Sequence, residues 1–208
     1  MESIENKILK LVKRKPSGKI LFAEDFIDIA DTKRINKALE RLHNEQHLLR
    51  VAKGIYTRPK EDPIIGKIKP TVEQVAQAIA KRDKARIVPT GAQALYQLGL
   101  TNQVPINVVY YTDASDRSIR IGKRKITFKK GAAKNVAYKG KISSLAIQAL
   151  KSLGKEQVKP EEIKMIQNRL QEENPTLLQH DLRLAPAWIR QILQPTNKPN
   201  DELQITSP

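Results

Sequence analysis

Asp31-Thr32-Lys33-Arg34-Ile35-Asn36-Lys37-Ala38-Leu39 opens a helix whose apolar residues, Ile35, Ala38, Leu39 and Leu42, recur at i, i+3, i+4 and i+7. Such a stripe faces a core, which leaves Lys33, Arg34, Asn36, Lys37, Glu40 and Arg41 on the outward face. Asp31 suits the N-cap, because its carboxylate accepts from the free amides of the first turn. Upstream, Ile20-Leu21-Phe22 reads as a short extended piece, and Ala23 to Ala30 as a helix burying Phe26, Ile27 and Ala30. Downstream, Leu49-Arg50-Val51-Ala52 and Ile55-Tyr56 flank Gly54, which permits a tight reversal. A short helix, a turn, a longer helix and a hairpin predict an N-terminal winged helix-turn-helix. That unit sets one helix in a DNA major groove and its hairpin against the neighbouring backbone.

The remaining chain carries a second pattern. A first helix is expected from about Ser3 to Arg14, with Ile4, Ile8 and Leu11 on one face, and Lys15-Pro16-Ser17-Gly18 ends it. Lys60-Glu61-Asp62-Pro63 reads as a linker. Thr71 and Gln74 form a capping-box pattern ahead of Val72, Val75, Ala76 and Ile79. Strands are expected at 87–88, 107–111, 118–121 and 125–128, and a helix from Ala92 to Leu98 ended by Gly99. Further helices are expected at about 144–152, at 160–172 with Pro160 and Glu161-Glu162 in its first turn, and at 187–193. The expected class is α+β. A winged helix-turn-helix (1–60) precedes a mixed α/β domain (64–194) with a small antiparallel sheet, and a polar, Pro-rich tail (195–208) is expected to be disordered.

Charge placement narrows the partners. The net charge is +16. Residues 1–60 hold 14 basic against 8 acidic residues, and residues 84–141 hold 12 against 2. The stretches 61–83 and 142–208 balance, so all the excess lies in two blocks. Clustered basic charge suggests a polyanion, usually nucleic acid. The candidate DNA-binding residues are Lys19, Thr32, Lys33, Arg34, Asn36, Lys37 and Arg41, with Arg50 and Lys53 reaching the backbone from the wing. Arg and Lys bond guanine edges or phosphates, and Asn pairs with adenine. The second block offers Arg117, Arg120, Lys123, Arg124, Lys125, Lys129 and Lys130. Alternation places Arg117, Arg120, Lys123, Lys125 and Lys129 off the core face. They track phosphates, dock an acidic partner, or guard an edge strand against aggregation.

Other patterns argue for less. His43 and His47 stand at i, i+4, but His43-Asn44-Glu45-Gln46-His47 puts the carboxylate one place late for a zinc motif. Lys15-Pro16-Ser17-Gly18-Lys19 lacks the leading glycine of a phosphate-binding loop. Asp113 and Asp116 fit ordinary turn chemistry, and His180 stands alone. No catalytic cluster, metal site or cofactor is expected. With no cysteine, disulfides and cysteine-based zinc sites are excluded. No apolar run reaches membrane-spanning length, and the first residues lack the layout of a secretion signal, so a cytoplasmic protein without a membrane partner is expected.

Several runs together resemble a known family. They are Leu49-Arg50-Val51-Ala52-Lys53-Gly54-Ile55-Tyr56, the stretch from Pro89-Thr90-Gly91-Ala92 through Tyr96-Gln97-Leu98-Gly99-Leu100-Thr101-Asn102-Gln103-Val104-Pro105, then Tyr111-Thr112-Asp113 and Ala185-Pro186-Ala187-Trp188. Over about residues 3–194 the chain resembles the AbiEi-type antitoxins, abortive-infection transcriptional regulators encoded beside nucleotidyltransferase toxins. Thr101-Asn102 departs mildly from the run common in that family. The resemblance implies a DNA-binding winged helix followed by a domain needed for antitoxicity. It also implies repression of the chain's own promoter through inverted repeats, and neutralisation of a nucleotidyltransferase toxin. The residues alone reach only a DNA-binding domain joined to a basic α/β domain. Direct binding of the toxin and RNA binding stay open beside that reading, although the chain is only 4% aromatic and the basic hairpin carries no aromatic pair for stacking bases.

Overall fold

The computed structural model describes residues 2–194, and the tail expected at 195–208 lies outside the described residues. The chain is α+β and divides into two compact units. One comprises residues 1–89 and 104–136, the other residues 90–103 and the chain from 137 onward.

The first unit begins with α1 (Ile4–Lys13), capped by Ser3, whose hydroxyl accepts from Asn6 N–H. β1 (Ile20–Leu21) follows, then a single 3-10 turn (Ala23–Phe26) where a helix through Ala30 was expected. Ile27, expected in the core, is 62% exposed. Likewise Val12, not Leu11, completes the buried face of α1. Helix α2 (Thr32–Asn44) starts where expected. Asp31 accepts from Arg34 N–H at 3.0 Å, and Ile35, Ala38, Leu39 and Leu42 are buried. β2 (Leu49–Ala52) and β3 (Ile55–Thr57) form the hairpin, with Gly54 at φ +71°. All three strands join in the order β1-β3-β2.

This small sheet has a core on each side, because successive side chains on a strand point to opposite faces. Leu21 and Tyr56 pack with α1 and α2, among Ile8, Phe26, Leu39 and Leu42. Their neighbours Ile20, Phe22 and Ile55 pack into a second cluster with Val72, Val75 and Ile79 of α3 (Val72–Arg82). Val108, Tyr110, Ile126 and Phe128 complete it. A boundary expected at 60–64 would pass through this second core. The compact unit therefore runs on to residue 136, interrupted by 90–103. The expected linker is itself structured. β4 (Lys60–Asp62) and β5 (Gly66–Ile68) form a separate antiparallel hairpin. The Asp62 carboxylate accepts from Ile64 and Ile65 N–H at 2.9 and 3.1 Å, which ties its tip.

The larger sheet has the order β6-β7-β9-β8, from β6 (Ile87–Pro89), β7 (Asn107–Thr112), β8 (Arg117–Ile121) and β9 (Arg124–Lys130). It was expected to be antiparallel. Instead β9 folds back between β8 and β7, so β7 and β9 run parallel and the sheet is mixed. Tyr110 and Phe128 stack at 5.9 Å between ring centroids. Burial raises the Tyr110 phenol well above its ordinary pKa, and among the described residues its hydroxyl has no hydrogen-bond partner. The short α5 (Ala133–Val136) closes the unit.

The second unit is helical among its described residues: α4 (Gly91–Leu98), α6 (Lys141–Leu153), α7 (Pro160–Leu170), α8 (Pro175–Leu184) and α9 (Ala187–Leu193). Residues 143–150 of α6 are all buried, which marks it as the central helix. Its N-terminus meets two carboxylates. Asp181, itself fully buried, accepts from Lys139 N–H, Gly140 N–H and the Ser143 hydroxyl at 2.8, 2.9 and 2.6 Å. Glu173 accepts from Ile142 and Ser143 N–H at 2.6 and 3.0 Å. These bonds satisfy amides that a helix cannot satisfy from within, and negative charge there suits the helix dipole.

Candidate nucleic-acid interface

Burial of one face of α2 fixes what the other face shows. Thr32, Lys33, Arg34, Asn36, Lys37 and Arg41 are all exposed, as are Lys19, Arg50 and Lys53. Their commitments differ. Arg34 lies 3.2 Å from its own N-cap carboxylate, a contact open to solvent that a competing ligand displaces at little cost. Arg41 donates to Glu5 of α1 at 2.8 Å. A backbone hydrogen bond first, and then Arg41, hold the Glu5 carboxyl below its usual pKa. Arg41 therefore ties the two helices together as well as facing outward. On the hairpin, the β2 register shifts between Arg50 and Ala52, an irregularity of the kind that re-aims side chains. Lys19 lends its carbonyl to the buried Thr57 hydroxyl at 2.9 Å.

The second basic block does not act as one set. Arg117, expected off the core face, instead packs over the buried Phe128 ring at 5.1 Å and pairs with Asp83. Asp83 also accepts from Arg82, whose guanidinium lies 4.5 Å from the Phe22 ring centroid. This trio closes the edge of the second core, so Arg117 is a packing residue. Arg120 and Lys125 are cross-strand partners, and both are exposed. Lys129 lies four residues along β9 on the same face as Lys125, in register with Tyr111. Lys123 and Arg124 lie at the β8–β9 turn, where Gly122 takes φ +56°. Lys130 is exposed, and its N–H donates to Asp116 at 2.6 Å.

Arg50 and Arg124, assigned to different blocks by the sequence, line one cavity of about 320 Å³. Lys69 and Thr71 share it. Sequence reasoning missed Lys69, because the charges of 61–83 balance as a stretch and hide a lysine placed just before a capped helix.

The remaining candidates resolve into local structure. Asp113 accepts from Arg86 N–H and Nε at 2.8 and 2.9 Å, and these bonds, the side-chain one foremost, lower its pKa. His43 Nδ1 lies 3.2 Å from the Leu48 carbonyl, and the ring packs against Tyr56. His180 is not alone: its Nδ1 lies 2.9 Å from Asp181. Ser143 donates to that same aspartate, not to the imidazole, and the serine is fully buried. This is not the order of a nucleophilic triad. Among the described residues no group of three ligating side chains is placed to hold a metal ion, and no helix is long and apolar enough to cross a membrane.

No curated protein matches this chain. The crystal structure of the RV2827C protein from Mycobacterium tuberculosis is similar over 93% of this chain and 81% of that one, at 13% identity and a TM-score of 0.42. Residues 7–178 match the model of a family of unknown function, DUF6088, and the chain belongs to that family.

Proposed function

We propose that this protein is a sequence-specific DNA-binding repressor of its own promoter and the antitoxin of a toxin–antitoxin operon. The carrying observation is the exposed face of α2, where Lys33, Arg34, Asn36 and Lys37 lie opposite a fully buried apolar stripe. The preceding 3-10 turn and the β2–β3 hairpin support reading this segment as a winged helix-turn-helix, with α2 in the major groove. Arg50 and Lys53 then meet the backbone. The antitoxin role rests on the resemblance to the AbiEi-type regulators, and its partner is a nucleotidyltransferase toxin.

The test is a gel shift with the chain's own promoter, carrying inverted repeats, against a scrambled duplex. Arg34→Ala and Asn36→Ala each cost about 1 to 3 kcal/mol on the promoter and little on the scrambled duplex. Affinities of both variants unchanged from the wild type on both duplexes remove α2 as the reader. Co-expression with the neighbouring toxin, scored by growth, tests antitoxicity separately.

Direct capture of an acidic toxin surface is the second reading. The outward row of Arg120, Lys125 and Lys129 favours it, since none of the three pairs with a carboxylate among the described residues. Toxin retained by the wild type and released by the triple alanine variant in a pull-down decides for it.

A further inference from the structure

We infer that the cavity lined by Arg50, Lys69, Thr71 and Arg124 is a phosphoryl-binding site. Its cations come from three separate places: strand β2, the segment between β5 and α3, and the β8–β9 turn. All belong to one compact unit. None pairs with a carboxylate among the described residues, and no carboxylate lines the cavity. Like charges gathered without a counterion repel one another, and a bound anion removes that cost.

The rest of the lining suits an oxyanion. The Thr71 hydroxyl accepts from Gln74 N–H at 3.1 Å, which leaves its own hydrogen to donate. Gly122 brings backbone without a side chain, and apolar walls such as Val51 and Ile121 lower the local dielectric and strengthen each charge. At about 320 Å³ the space is at the small end for ligand pockets and fits a phosphoryl group with its sugar better than a whole dinucleotide.

The phosphoryl group comes either from the backbone of bound DNA or from a free phosphate ester. The first source rests on the function proposed above, whereas the second does not. Two measurements on the full-length chain separate them, using Arg124→Gln, Lys69→Gln and, as a control outside the cavity, Lys134→Gln.

The first measurement is promoter-duplex affinity as a function of salt. A backbone source lowers the slope of log affinity against log salt by about 0.9 per lost contact in each cavity variant and leaves the control less affected. The second is thermal unfolding with inorganic phosphate against chloride at equal ionic strength. A free source raises the wild-type midpoint specifically with phosphate, by linkage, and both cavity variants lose that rise. Circular dichroism establishes that the variants fold. If the duplex does not bind at all but phosphate stabilises through Arg124, the inference stands without the repressor reading. If neither the slope nor the phosphate shift distinguishes the cavity variants from Lys134→Gln, the site does not exist.

Discussion

Asp181 shows how much one buried carboxylate can organise. It gathers two backbone amides and a serine hydroxyl at the start of the central helix of the second unit. Asp181→Ala leaves those donors unpaired and is expected to cost about 3 kcal/mol or more, read as a lower urea midpoint at unchanged m-value. Gly140 is needed beside it for room, because a Cβ there would lie 2.6 Å from Glu173 Oε2. Gly140→Ala is therefore expected to shift the same midpoint in the same direction. At Asp113 the effect is on pH. Its hydrogen bonds from Arg86 lower the carboxyl pKa in the folded chain. They contribute stability above the ordinary carboxylate range, and this is lost as pH falls through the lowered value. Thermal midpoints of wild type and Asp113→Asn should differ at pH 7 and converge well below about pH 4.

Elements announced by local chemistry were legible in the sequence, and those made by pairing were not. Asp31 ahead of an apolar stripe, the Thr71–Gln74 box and Gly99 after Leu98 each mark a helix end with atoms close in sequence. The structure uses all three. The β7–β9 pairing is different, because hydrophobic alternation locates a strand but does not say which strand lies beside it. The β4–β5 hairpin was hidden by composition, since Lys60-Glu61-Asp62-Pro63 is as polar as a linker. Helix α8 had a signal, Asn174-Pro175, in which the asparagine side chain accepts from the Thr176 and Leu177 amides. For the site, exposure on α2 followed from its period, whereas the partners of Arg117 and the convergence of Arg50 on Arg124 depend on tertiary placement. The β4–β5 hairpin makes its own prediction. Ile64 and Ile65 are 93% and 72% exposed, so Ile64→Ser with Ile65→Ser should leave the thermal midpoint nearly unchanged. Gly66→Ala, at φ +73°, should cost about 1 kcal/mol.

Across the whole molecule, the three-stranded sheet decides what can stand alone. Ile20, Phe22 and Ile55 need partners as late as Phe128. A fragment of residues 1–60 should therefore lack a cooperative melt, whereas residues 1–136 should show one. A sharp thermal transition of the shorter fragment would contradict this. The interruption at 90–103 has a further consequence during translation. Helix α4 belongs to the second unit, yet it emerges from the ribosome before strands β7 to β9 and well before its packing partner α6. A nascent chain paused after Val136 holds a complete first unit while Ala94 and Leu98, buried once folding ends, have nothing from α6 to cover them. Until α6 emerges, Ala94 and Leu98 therefore stay open to a chaperone or a protease even after the first unit has closed.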